Sequence, residues 1–401
     1  MKNLLIFLLV FFSISCETNK TQLELPCSEK TIFLGHKGSG TKGEFGNRFS
    51  DNSIEAILNA LNQLDGTEFD LQMSADTTLW LFHDHEIINC QGEKVNFNTL
   101  SDSVIETVSD CKYDGALAQL SQLVTEIKDK QFADKTLSLD LKLLQNPVTL
   151  KKFGGEKLTN YTIEILNKSL LSLKEFSVLA EVPEQYQYEL FNEKSAFETY
   201  LIQKNFDYLS NNTSAINYSA PIHYLNSDSI TKKLNKRKGK LQLWVVNSAE
   251  EFFNASLVEP NYIQSDNLPM LNFFRKLKAG FAEELEKVIS SILSNDEFIT
   301  ILDVEAENNP NKLYKFSVKN DVPDSLEVLL VFSGKDKAGE NTFWEKVDYN
   351  KKKHYYFYDA TLNQSRQTSK IKFYLWNSEG HQINIKDFKV SSFSVDKTPG
   401  G

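Results

Sequence analysis

The 401-residue chain has four cysteines, and neither a CxxC pair nor a Cys/His cluster at zinc spacing occurs, so nothing supports a structural zinc site. An excess of positive charge is also missing. Lys and Arg number 44 against 54 Asp and Glu, a net −10, which leaves no global basic field to collect phosphates and argues against nucleic acid as a partner. An anionic ligand must therefore be held locally. The long apolar run near the N-terminus, LLIFLLVFF, is too short for a comfortable membrane span. With 41% hydrophobic and 24% charged residues, the chain is neither wholly disordered nor a multi-span membrane protein.

The first 16 residues carry Lys2, then the apolar run, then small residues before Cys16, the layout of a secretory signal. The ending Ser13-Ile14-Ser15-Cys16 resembles a bacterial lipoprotein box. Read so, Cys16 is lipidated and anchors the protein in the bacterial cell envelope, periplasmic or at the outer surface. The alternative is a plain signal peptide and a soluble secreted protein. Residues 17–30 are polar and aperiodic, a tether. In an oxidising compartment Cys27, Cys90 and Cys111 allow at most one disulfide; Cys90 with Cys111 is the expected pair, and three buried thiols is the alternative.

Chemistry-bearing residues concentrate between Ile32 and His85. An apolar strand ends in Gly35-His36-Lys37-Gly38, a helical pattern follows from Ile54, and a strand then carries Glu68 and Asp70. Side chains alternate along a strand, so these two carboxylates share one face about 7 Å apart and can share one divalent cation. A further strand is expected to end in His83-Asp84. His36 and His83 could then flank the cation, one taking and one giving a proton near neutral pH. Asp51 or Ser53 can cap the helix. In Leu137 to Leu143, read as a strand, Asp140 and Lys142 share a face; Asp140 as a third metal ligand and Lys142 as a phosphate contact would explain two charges facing a barrel interior, and a mutual salt bridge is the other reading.

The succession His36-Lys37-Gly38, Asp51-Asn52-Ser53, Glu68-Phe69-Asp70, His83-Asp84 resembles the His-Arg-Gly, Glu-Asn-Thr, Glu-x-Asp, His-Asp order of the glycerophosphodiester phosphodiesterase family. Lys37, Asp51 and Asp140 depart from the family's arginine and glutamates while keeping charge. The resemblance, thinner beyond these motifs, extends over residues 31–270. It implies a (β/α)8 TIM barrel of the phospholipase-C-like superfamily, hydrolysing glycerophosphodiesters to glycerol phosphate and an alcohol. It implies His36 and His83 as acid and base in unassigned order, with Glu68, Asp70 and Asp140 holding one Ca²⁺ or Mg²⁺. It also places Lys37, Asp51, Asn52 and Lys142 at the phosphate or substrate, and Trp244, in Trp244-Val245-Val246-Asn247, as a substrate wall. Ser265-Asp266-Asn267 resembles the family's last strand end. A related barrel lyase stopping at a cyclic phosphate, and an inactive barrel in a glycan-binding lipoprotein, are the competing readings.

Further strands are expected at Phe176 to Val182, Asp207 to Ser210, Lys240 to Val246 and Tyr262 to Gln264, with helices at Leu158 to Leu173, Lys194 to Gln203, Ala249 to Leu257 and Pro269 to about Ile292. The barrel domain is thus set at 31–293. Residues 294–401 read as short strands broken by turns, a small antiparallel β-sandwich whose Trp344, Tyr356, Tyr358 and Trp376 could stack on envelope glycan or simply fill a core.

Overall fold

The computed structural model describes residues 30–130, 132–202, 215–277, 281–306, 310–317, 328–348 and 353–395. The expected signal segment, most of the tether, Cys16, Cys27 and the expected strand at 207–210 lie outside them. No helix among the described residues is long and apolar enough to cross a membrane.

In chain order the strands begin with β1 (Ile32–Gly35), β2 (Gly66–Met73), β3 (Leu79–Leu81), β4 (Glu86–Ile88), β5 (Lys94–Asn96), β6 (Thr136–Asp140) and β7 (Ser177–Val182). They continue with β8 (Glu198–Ile202), β9 (Tyr218–Pro221), β10 (Leu241–Trp244) and β11 (Tyr262–Ser265). The helices of this part are α1 (Ile54–Gln63), α2 (Asp102–Lys112), α3 (Leu120–Asp129), α4 (Pro147–Phe153), α5 (Gly155–Leu170), α6 (Gln185–Lys194), α7 (Asp228–Leu234), α8 (Ala249–Ser256) and α9 (Leu268–Leu277). β1, β2 and β6 to β11 run parallel, and β1 pairs with both β2 and β11, which closes an eight-stranded barrel. Strands covered on both faces read as nearly continuous buried runs, and every residue of β2 is buried. α1 begins where Ser53 Oγ accepts the Ala56 N–H, and it lays Ile57, Leu58 and Leu61 on the barrel.

Several elements depart from expectation. The strand expected to end at His83-Asp84 is β3, which pairs antiparallel with the end of β2 and is not a barrel stave, so His83 sits in the loop beyond it. The strand expected to run to Leu143 stops at Asp140, and Lys142 opens a 3-10 turn instead of continuing the face. The expected helix at Lys194 to Gln203 is replaced by the end of α6 and by β8, whose Thr199, Tyr200 and Ile202 favour a pleated surface. β9 was not anticipated. Between β3 and α3 lies an insertion in which the β4–β5 hairpin and α2 share a small core of Ile87, Phe97, Ile105 and Val108, and Cys90 and Cys111 are disulfide-bonded across it.

The helix expected to reach Ile292 ends at Leu277, and β12 (Phe281–Ser294) follows. Its Glu, Lys and Leu content suits a helix, but pairing along its length with the last strand overrides that preference. The C-terminal part then adds β13 (Phe298–Glu305), β14 (Lys312–Ser317), β15 (Val328–Lys335), β16 (Asn341–Asp348), β17 (Lys353–Tyr358), the short α10 (Ala360–Ser365), β18 (Lys370–Asn377) and β19 (Ile383–Val395). Two antiparallel sheets, β12-β19-β14-β17 and β13-β18-β15-β16, enclose Phe316, Phe332, Phe373 and Phe388. Tyr356 and Tyr358 belong to that core and are unavailable for stacking on glycan, because their rings alternate inward along β17. Trp344 is exposed on β16 and lies against Trp376. The β17 sheet packs on the barrel: Tyr355 stacks on Phe253 of α8 at 3.5 Å between centroids, and Leu313 and Phe393 are buried in the barrel's own core cluster. Phe393→Ala should therefore lower the unfolding free energy by about 3–5 kcal/mol, read from urea denaturation followed at both domains.

Candidate active site

At the C-terminal end of the barrel, Glu68 and Asp70 on β2 meet Asp140 at the end of β6, where Asp70 and Asp140 are register partners. One oxygen from each lies within 4.8 Å of the others. Burial, then the charges of Asp70, Glu181 and Asp140, push Glu68 well above the usual carboxylate range. Burial likewise raises Asp140, although Lys142 opposes it. Burial also acts on Asp70, but Lys142, His83, Lys37 and the Asn52 amide outweigh it and hold that carboxyl low. Lys142 Nζ is 2.7 Å from Asp140 Oδ2 and 3.5 Å from Asp70 Oδ1, so the salt-bridge reading of this pair is realised. One ammonium still leaves three clustered carboxylates, two of them buried, short of positive charge, and Asp140 Oδ1 is out of solvent without a hydrogen-bond partner. An all-oxygen donor set with an orphaned buried acceptor fits a hard divalent cation.

The main chain before α1 holds this cluster. Lys37 N–H donates to Glu68 Oε2 at 2.7 Å, and the following Gly38 N–H donates to the Glu68 carbonyl. Gly38 sits at φ +82°, where a Cβ would come within 2.8 Å of Ala56, so only glycine lets the turn meet the helix. Asn52, buried in the left-handed region, donates to Asp70 Oδ2 at 2.9 Å and accepts the Asp70 N–H at 2.8 Å. Asp51 beside it is exposed.

The two histidines sit differently. His36 Nδ1 is 2.7 Å from Asp266 Oδ1, and its Nε2 is 3.9 Å from Glu68 Oε2. A carboxylate only accepts, so Nδ1 donates to Asp266 and Nε2 is the nitrogen that faces the cluster. Burial raises Asp266, but the hydrogen bond and charge of His36, helped by Asn247 Nδ2 at 2.8 Å, more than offset it and hold its pKa below the usual range. His83 Nδ1 bonds Asp84 Oδ1 at 2.6 Å, and the Gln72 amide donates to the carbonyls of both residues, fixing this loop to β2. His83, Asp140, Lys142 and Trp244 line one groove of ≈ 940 Å³.

Sequence reasoning missed the roles of Asp266 and Glu181. Asp266 lay in a quoted motif without a task; an acid directly after a barrel strand, opposite a strand-end histidine, was the available signal. Glu181 is buried on β7 beneath the carboxylates, bonded by Ser138 Oγ at 2.8 Å, Ser219 Oγ at 2.5 Å and Gln264 Nε2 at 2.9 Å. Ser219 Oγ in turn accepts the Trp244 indole N–H at 2.9 Å, so the buried acid fixes the ring that lines the groove.

A family model described as the glycerophosphoryl diester phosphodiesterase family matches residues 36–254, more than half of the chain. The chain belongs to that family. The assignment makes its barrel that of a phosphoric diester hydrolase, an enzyme class that typically depends on metal. Among solved structures, a glycerophosphodiester phosphodiesterase from Thermotoga maritima is 16% identical, covering 61% of this chain and 98% of its own, at a TM-score of 0.44. One from Parabacteroides distasonis is 15% identical, with 62% and 98% coverage and a TM-score of 0.46. A phosphodiesterase from Oleispira antarctica, solved with the product sn-glycerol-3-phosphate, is 12% identical, with 61% and 96% coverage and a TM-score of 0.47. No curated protein matches the chain.

Two outcomes follow for this phosphodiesterase. Ser219→Ala leaves the Trp244 indole and one Glu181 oxygen without a partner and should cost about 1–3 kcal/mol in urea unfolding. The depressed Asp266 pKa stabilises the fold above the ordinary aspartate range near pH ~4, and this contribution is lost as pH falls through the lower folded value. Asp266→Asn should flatten that part of the acid-unfolding profile.

Proposed function

We propose that the protein hydrolyses glycerophosphodiesters at this cluster, with His36 as general base and His83 as general acid. The observation that carries the reading is the convergence of buried Glu68 and Asp70 with half-buried Asp140, whose Oδ1 has no partner, in a cluster that His36 faces with its far nitrogen bonded to Asp266. A divalent cation held by Glu68, Asp70 and Asp140, Ca²⁺ or Mg²⁺, would supply charge neutralisation to the phosphate. Lys37 and Lys142 add fixed positive charge for the non-bridging oxygens, and Asn52 acts by orienting Asp70. Asp51, exposed at the same turn, would meet the substrate only from the solvent side. His36 Nε2 takes a proton from the attacking hydroxyl, the phosphorus–oxygen bond to the alcohol breaks, and the leaving oxygen takes a proton from His83. The attacking hydroxyl is either water or the glycerol hydroxyl next to the phosphate; the latter gives a cyclic phosphate that water then opens. Trp244 walls the groove on the alcohol side.

The same reading anchors the protein in the bacterial cell envelope through Cys16, where headgroup diesters arise, and assigns Trp344 and Trp376 a contact with envelope glycan. The N-terminal layout and the exposed ring of Trp344 support these two assignments. Incubation with glycerophosphocholine should release glycerol phosphate, and chelator should abolish release until Ca²⁺ or Mg²⁺ is restored. His36→Ala and His83→Ala should each lower kcat by about 10²–10⁴-fold with metal binding retained by calorimetry, whereas Glu68→Ala should lose metal binding as well. Normal turnover in any of the three, or turnover indifferent to chelator, contradicts the reading.

A further inference from the structure

The groove is larger than glycerol phosphate requires, and its outer half is built by the insertion rather than by the barrel. In the β4–β5 hairpin Glu86 faces Asn96 and Ile88 faces Lys94 across the ladder. All four line the groove, while Ile87 and Val95 between them turn into the insertion's own core. The hairpin is held in place: Cys90 is bonded to Cys111, and Ile88 N–H donates to the Tyr113 hydroxyl at 3.2 Å. Among the described residues neither Glu86 nor Lys94 is ion-paired. The opposite wall is Trp244, whose ring is tethered through Ser219 to Glu181.

We propose that this outer groove selects diesters whose leaving alcohol is a polyhydroxylated ring of cyclitol or sugar size; this rests on the reading of the cluster given above. A ring bearing hydroxyls needs donors and acceptors around its edge and a flat apolar surface under its C–H face. Lys94, the Asn96 amide and Glu86 supply the first, and the fixed indole supplies the second. Other alcohols fit worse. A quaternary ammonium calls for aromatic faces and uncompensated negative charge; Trp244 and Tyr113 line this groove, but Lys94 and Lys142 stand among its carboxylates Asp84, Glu86 and Asp140. An acyl chain calls for a continuous apolar wall, which charged and amide side chains interrupt. A second phosphate calls for clustered cations, and Lys94 stands two rungs along the ladder from Glu86, on the same face.

Glycerophosphoinositol and glycerophosphocholine, compared as substrates of the metal-loaded full chain, test this directly. The inositol diester should be preferred by about tenfold or more in kcat/KM, mainly through KM. In the E86A/K94A double variant, two exposed positions whose loss leaves the hairpin core intact, that preference should fall to within about twofold of unity. Calorimetric binding of both diesters to His36→Ala provides the second measurement. A binding preference without turnover in the wild type would uphold the groove assignment and refute the catalytic reading. Equal handling of the two diesters by wild type, or an unchanged preference in E86A/K94A, would overturn the proposal while leaving the phosphodiesterase reading intact.

Discussion

Repulsion among three clustered carboxylates, two of them buried, is the constraint around which the upper end of this barrel is built. Glu68 and Asp70 are almost wholly removed from water, and Asp140 lies beside them. Charges in such a place are tolerated only when opposite charge or hydrogen bonds compensate. The surrounding groups do this from different directions: a backbone N–H for Glu68, the Asn52 amide for Asp70, the Lys142 ammonium between Asp70 and Asp140. The compensation is incomplete by one cation. That shortfall links the fold to the proposed chemistry, because the feature that would destabilise an ordinary core is the one that could hold a metal ion.

Beneath the cluster a second layer fills the barrel with Ser138, Glu181, Ser219, Gln242 and Gln264, all buried. These residues come from five strands, β6, β7, β9, β10 and β11, so their hydrogen bonds tie staves together as well as satisfying Glu181. The layer also transmits order upward. Through Ser219 it fixes Trp244, and Asn247, three residues on, accepts the Asp266 N–H and donates to its carboxylate, which in turn aligns His36. Trp244 and His36 are thus each held by hydrogen-bonded polar neighbours, Trp244 through Ser219 and His36 through Asp266 and Asn247.

The site was largely legible in the sequence because its residues sit at strand ends, where alternation and order specify a face. Glu68 and Asp70 needed only the two-residue period of a strand, and that period held. Asp140 and Lys142 came together for a different reason from the one expected: the strand stops between them, and a long flexible side chain folds back onto the acid. What stayed hidden depended on distant partners. β12 has the composition of a helix and becomes a strand only by pairing with β19, about a hundred residues away, and β8 hid inside an expected helix because five residues carry too little period. Glu181 reads as one acid in an apolar run, and only the fold brings its donors to it from β6, β9 and β11.

The departures from the family's usual residues separate scaffold from chemistry. At position 37 the structural duty, an N–H to Glu68 from a residue at φ +50°, belongs to the main chain, so exchanging arginine for lysine leaves the cluster undisturbed. It alters only what the side chain offers an oxyanion, a mobile point charge in place of a planar fork. At position 140 the shorter aspartate keeps its carboxylate close to β6, and Lys142 follows it there, spanning to Asp70. Both changes preserve charge, and only the first trades a planar fork for a point charge. Under the proposed function, discrimination between substrates rests on the alcohol side, where the hairpin is pinned by the Cys90–Cys111 disulfide and the Trp244 indole is tethered through Ser219.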